Sequence, residues 1–227
     1  MAVDNIEKKS ASDAVSGFLR EHRKLIITIG IVILAAVVVV VGGIMFFNFM
    51  EERNIAKLED LNSQYEEIRT TINSEDAEEN TSEEATKLLA EFEALGKSAQ
   101  GYAGSKAYAQ AASIAADQKN WAEAERLYDL SSQKGRRIYL GPLSAFNAGM
   151  MAEEAGDTEK ALAHFKTAAA AADFPACAMA QFNVGRLLEA TDKDAATAAY
   201  QEIRDKWPNE TSWINLAESR IIALSIK

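Results

Sequence analysis

The feature that most constrains this chain is a run of 23 residues without a charge, Leu25 to Phe47, reading LIITIGIVILAAVVVVVGGIMFF. As a helix at 1.5 Å per residue it spans roughly 34 Å, enough to cross a hydrocarbon core of about 30 Å with some tilt. The run is apolar on every side, so it has no polar face with which to lie on a water-soluble domain. A cleavable signal would carry a shorter apolar region followed by a small-x-small site. Here Asn48-Phe49-Met50-Glu51-Glu52 follows instead, and the segment reads as an uncleaved signal anchor over residues 25–50. Phe46, Phe47 and Phe49 are placed to sit at the outer interface, and Gly42-Gly43 lacks the spacing of a G-x-x-x-G contact face.

Charge sets the expected orientation. Arg20, Arg23 and Lys24 precede the run, while Glu51, Glu52, Glu59 and Asp60 outnumber Arg53 and Lys57 after it. Bases beside a span tend to remain cytoplasmic, so residues 1–24 are expected inside as a short tail, with the remainder in the periplasm of a bacterial inner membrane. From residue 25 onward the chain has 19 bases and 30 acids, within a total formal charge of −10. That balance excludes the basic face needed for nucleic acid and disfavours docking on anionic headgroups.

The residues beyond the anchor read as helix throughout, with three prolines and twelve glycines in the whole chain. Residues 51–72 place Ile55, Leu58, Leu61, Tyr65, Ile68 and Ile72 at three- and four-residue spacings, an amphipathic helix expected to act as a stalk. Residues 73–80 form an acidic linker. Thr81 followed by Glu84 has the pattern of a capping box opening a second lead-in helix through about Lys97, with Leu88, Leu89, Phe92 and Leu95 inward. Stalk, linker and lead-in together occupy 51–100.

Residues 101–227 repeat themselves. In three copies a small residue lies four positions before an aromatic: Ala124 and Tyr128, Ala161 and Phe165, Ala196 and Tyr200. The period is close to the 34 residues of a tetratricopeptide repeat, in which a small residue lets two helices of a hairpin approach and the aromatic fills the groove between repeats. Gly149 and Gly185 stand where the first helix needs a small residue for that contact, and Gly156-Asp157 makes a short turn with Asp157 as cap. The copies are degenerate, with Ala112 in place of the first glycine. Ser212 to Ile226 is expected to close the array as a capping helix. The fold class is therefore all-α, one N-terminal transmembrane helix followed by a tetratricopeptide-like helical-hairpin solenoid.

Catalysis is not expected. The sequence has no Cys-x-x-Cys, His-Glu-x-x-His, nucleophile elbow or phosphate-cradling glycine loop, and no cofactor or metal is implied. The single cysteine, Cys177, lies among alanines and reads as a small buried hydrophobe. His22 belongs to the basic flank, and His164 sits beside Phe165 in a repeat helix. The array instead offers a concave surface lined by the first helix of each hairpin, where Ala109, Ser113, Phe146, Met150, Glu153, Phe182, Arg186 and Glu189 are expected, with Phe146, Met150 and Phe182 as an apolar floor for a peptide. Against this stands the reading in which both phenylalanines pack the next helix. Arg136, Arg137 and Tyr139, between the first two repeats, are a second exposed candidate.

The order of parts resembles the YfgM-type ancillary subunit of the SecYEG translocon. The similar elements are Asp13-Ala14-Val15-Ser16-Gly17-Phe18-Leu19-Arg20 before the anchor, Tyr102-Ala103-Gly104-Ser105-Lys106-Ala107 at the start of the first repeat, and the closing Arg220-Ile221-Ile222-Ala223-Leu224-Ser225-Ile226. That resemblance implies a non-enzymatic adaptor beside SecYEG, working with a membrane-anchored periplasmic chaperone and helping to hand over emerging polypeptides. The alternative is a structural scaffold of a cell-envelope assembly complex using the same surface. Protein partners are expected in both cases, with no small-molecule substrate.

Overall fold

The computed structural model describes residues 11–72 and 79–226, and every regular element among them is a helix. In chain order these are α1 (Ala11–Glu21), α2 (Arg23–Ile72), α3 (Glu79–Ser98), α4 (Gly101–Asp117), α5 (Trp121–Lys134), α6 (Leu140–Glu154), α7 (Thr158–Ala169), α8 (Cys177–Leu188), α9 (Lys193–Lys206) and α10 (Thr211–Ser225). The chain divides into two units, 1–50 and 51–227, with α2 contributing to both.

In the first unit, large apolar side chains from Leu25 to Met50 stand exposed all around α2, Val39 reaching 73 %. A continuous sleeve of this kind satisfies its backbone internally and presents only hydrocarbon outward, which suits a bilayer and not water. The helix is long and apolar enough to cross a membrane.

In the second unit each helix from α3 to α10 packs on its neighbour in sequence, as antiparallel hairpins do. Residues 51–72 continue α2 without a break, in the place expected for the stalk, and their apolar stripe is covered. Leu58, Leu61 and Tyr65 are buried against Leu88, Phe92 and Leu95 of α3 and Ala107, Ala111 and Ile114 of α4. This stretch is therefore the first helix of an additional hairpin, α2–α3, ahead of α4–α5, α6–α7 and α8–α9. The capping box at Thr81 is also corrected: α3 already includes Glu79, so Thr81 lies inside the helix. Of the acidic linker, 73–78 fall outside the described residues and 79–80 are helical.

The local signals of the repeats hold. The second helices α5, α7 and α9 open on Asn120, Asp157 and Asp192, whose side chains accept from Glu123 N at 3.4 Å, Lys160 N at 3.1 Å and Ala195 N at 2.9 Å. Each cap precedes the small residue of its copy by one helical turn, which places Ala124, Ala161 and Ala196 against the partner helix, fully buried. A Cβ added at Gly149 would meet the Phe165 ring at 2.9 Å, and one at Gly185 would meet Tyr200 at 2.6 Å. Only glycine permits those approaches. Gly156 adopts φ +79°, the left-handed conformation that ends α6. Cys177 is buried as expected. α10 closes the array by packing Trp213, Ile214, Ala217, Ile221 and Leu224 on Tyr200 and Ile203.

Candidate functional site

The predicted concave residues separate into packed and exposed members. Phe146 lies on α6 with its ring edge-on to Phe165 at 5.4 Å and tilted against Phe174 at 6.2 Å. Phe182, on α8, meets Tyr200 at 5.2 Å and Trp213 of α10 at 5.5 Å. Both rings are half-buried in contacts with their own chain, the packing alternative noted from sequence. Met150, 39 % exposed, is the open apolar member of the floor. On α4, Ala109 is half-buried and Ser113 lies against the phenols of Tyr65 and Tyr128. Burial first, and then the Asp117 carboxylate that accepts its hydroxyl, raises Tyr65 well above the ordinary phenol range.

The charged members are joined to one another. Arg186 donates Nη1 and Nη2 to the two carboxylate oxygens of Glu153, each at 2.6 Å, and is braced by Asn183 Oδ1. Glu189 accepts from Tyr200 Oη at 2.5 Å and from Arg220 Nε at 2.8 Å. Hydrogen bonding to Arg186 and Arg220 holds Glu153 and Glu189, respectively, below the usual carboxylate range. Two further pairs join second helices: Glu93 with Arg126 at 2.7 Å, and the buried Glu125 with Lys160 at 3.0 Å. All four span 31 to 35 residues, one repeat along the array. Sequence reading did not find this ladder, although an acid and a base one period apart were there to be seen. His164 also joins Glu125, with Nε2 at 2.8 Å, so it sits between second helices and not on the concave side.

The other candidate, Arg136-Arg137-Tyr139, lies in the turn between α5 and α6, and all three side chains are exposed. The turn is held tightly. A Cβ at Gly135 would fall 2.4 Å from Ser105 Oγ, and one at Gly141 would fall 2.6 Å from Gly135 O. Beneath it, Ser105, Ser131 and Ser144 form a fully buried hydroxyl chain across α4, α5 and α6, with Ser131 and Ser144 Oγ atoms 2.7 Å apart. These contacts pin the backbone that displays the two arginines. Beside them opens a cleft of about 490 Å³, lined by Gln100, Gly101, Tyr108, Leu130, Gln133, Lys134, Arg136, Arg137 and Ile138. Lys134 Nζ donates to the carbonyls of Lys97 and Ala99, closing the end of α3. Tyr102, exposed nearby, has its phenol raised by partial burial and by Tyr139.

Among the described residues no group of His, Cys, Asp and Glu converges in metal-binding geometry. No protein-family model matches the chain. It is 30 % identical over 232 residues to a TPR repeat-containing protein of Treponema pallidum (strain Nichols), an alignment covering 97 % of each chain. In structure it is similar to nearly identical TPR-like repeats of kinesin light chain type from Podosopora anserina, with a TM-score of 0.54, 12 % identity, and coverage of 74 % of this chain and 85 % of that one. At that identity the likeness speaks to the solenoid fold. With a relative matching along nearly its whole length, this chain belongs to the TPR repeat-containing proteins.

Proposed function

We propose that this protein is a non-enzymatic, membrane-anchored adaptor whose repeat domain binds protein segments in the periplasm beside the SecYEG translocon, with a membrane-anchored chaperone as a second partner. A TPR-like solenoid supports the protein-binding part of this reading, because stacked hairpins offer extended surfaces and no enclosed reactive pocket. The observation that carries it is the contrast between the exposed apolar helix of 25–50 and a folded helical domain that leaves Met150 and the Arg136–Tyr139 turn open. The translocon and chaperone assignment follows the resemblance to the YfgM type, and the cytoplasmic placement of the N-terminal tail follows the basic flank at Arg20, Arg23 and Lys24.

On the concave side the proposed contact residues are Met150 together with the exposed edges of Phe146 and Phe182, bordered by Ala109, Ser113, Glu153, Arg186 and Glu189. Affinity purification of the full-length chain from mildly solubilised membranes tests the assignment. Recovery of SecY or a membrane-anchored chaperone, weakened by Met150→Glu, is the expected result. Recovery of a cell-envelope assembly component with no translocon subunit would replace the adaptor by the scaffold reading.

A further inference from the structure

The soluble unit has eight arginines, and six of them engage other groups: Arg69, Arg126, Arg186, Arg204 and Arg220 in ion pairs, and Arg53 in a contact with its surroundings. Arg136 and Arg137 make no ion pair or hydrogen bond among the described residues, although acids outnumber bases in the chain by 34 to 24. The cause lies in where the acids are missing. Residues 94–116 contain Lys97 and Lys106 and no acid, and residues 130–152 contain Lys134, Arg136 and Arg137 and no acid. Every residue lining the 490 Å³ cleft comes from one of these two stretches. Folding thus brings the two longest acid-free stretches of an acidic domain to one place, around a floor that includes Tyr108, Leu130 and Ile138.

An unpaired arginine on an otherwise anionic surface gains most from a carboxylate, which its planar fork binds through two parallel hydrogen bonds. Two adjacent arginines on a pinned turn have little backbone freedom left to lose on binding. The negative field of the rest of the domain disfavours anionic ligands on faces rich in acids, whereas at the cleft Lys134, Arg136 and Arg137 stand against the neighbouring carboxylate of Glu51, beside Gly101. The apolar floor favours a peptide over a small anion. We infer that the cleft between the start of α4 and the α5–α6 turn binds an extended acidic peptide segment, with Arg136 and Arg137 each taking a carboxylate and an apolar side chain of the peptide resting on Leu130 and Ile138. This rests on the protein-binding reading above and assigns a partner chemistry to the turn.

The test uses the full-length protein in nanodiscs of zwitterionic lipid and a fluorescein-labelled ten-residue peptide of Glu and Asp around a central Leu. A control peptide carries Gln and Asn in place of the acids. The expected result is binding of the acidic peptide, at least tenfold weaker for the control and for R136Q/R137Q, and weakened by added salt. Since both arginine side chains are exposed and make no ion pair or hydrogen bond among the described residues, circular dichroism of the double variant should match the parent. Equal binding by parent and variant, or none by the parent, overturns the inference. So does a finding that Arg136 and Arg137 mediate sedimentation with phosphatidylglycerol vesicles while peptide binding is absent. Recovery of protein partners by the double variant, in the purification described above, would show that the adaptor reading survives such a failure.

Discussion

In α3–α5 and the part of α2 beyond Met50, the buried side chains form one continuous core, with Leu61, Phe92, Ile114 and Leu127 all closed to solvent. In α6–α10 they are divided among three small clusters, built around Phe174, Phe165 and Tyr200. Cross-repeat ion pairs run through both halves, Glu93–Arg126 in the first and Glu153–Arg186 and Glu189–Arg220 in the second, and what the second half adds is ring contacts that draw Phe146 and Phe182 inward. A continuous apolar core contributes stability in proportion to area removed from water, whereas partly exposed ion pairs contribute little each. The difference teaches that the array is anchored at its amino-terminal end, and that its later repeats are the more easily opened.

The largest effect should come from that anchor. Phe92→Ala removes a fully buried ring from the junction of α2, α3 and α4 and should cost about 3–5 kcal/mol in chemical denaturation, with loss of cooperative unfolding. A smaller loss there than in the second half would break the comparison. Next, Gly185→Val forces a side chain into the Tyr200 ring and should cost about 1–3 kcal/mol, with faster hydrogen exchange confined to α8–α10. The same reasoning changes how Phe146 and Phe182 are to be used. Glutamate at either site would bury a charge among packed rings and lower helical content, so Met150 is the position at which partner binding can be probed without unfolding.

The ion pairs give a smaller and pH-dependent effect. Glu153 and Glu189 titrate below the ordinary carboxylate value in the folded chain because Arg186 and Arg220 hydrogen-bond the charged forms. Their contribution is therefore complete above the unfolded value of about 4.3 and is lost as pH falls through the lower folded values. E153Q and E189Q should each cost about 0.2–1 kcal/mol at pH 7, and the cost should vanish in acid. An unchanged cost at low pH would mean that packing, not charge, supplies the link. The smallest effect belongs to R136Q/R137Q, within about 0.5 kcal/mol of the parent, because these side chains are exposed and make no ion pair or hydrogen bond among the described residues.

Much of this architecture was legible because it is written in local signals. Asp157 as a cap, Gly156 as a helix end, and Gly149 and Gly185 facing aromatics each depend on a few neighbouring residues and the period of the repeat. The helix long and apolar enough to cross a membrane was legible from its composition alone. The hairpin role of 51–72 was hidden for a physical reason: an amphipathic stripe such as Leu58, Leu61 and Tyr65 tells which face is buried, but not what covers it. That hairpin also lacks the small-and-aromatic signature of the later copies. The cleft was half legible. Arg136, Arg137 and Tyr139 stood out as an exposed turn, whereas its other wall, at Gln100 and Tyr108, is separated in sequence and becomes adjacent only when α4 packs on α5.

The most direct test of the central claim, that the repeat domain binds protein segments through its open face and its α5–α6 turn, is photo-crosslinking in living cells from Met150 and Arg137, with exposed Glu159 of α7 as the reference position. The account predicts discrete protein adducts from Met150 and Arg137 and none from Glu159. Adducts of equal yield from all three positions, or from none, would contradict it.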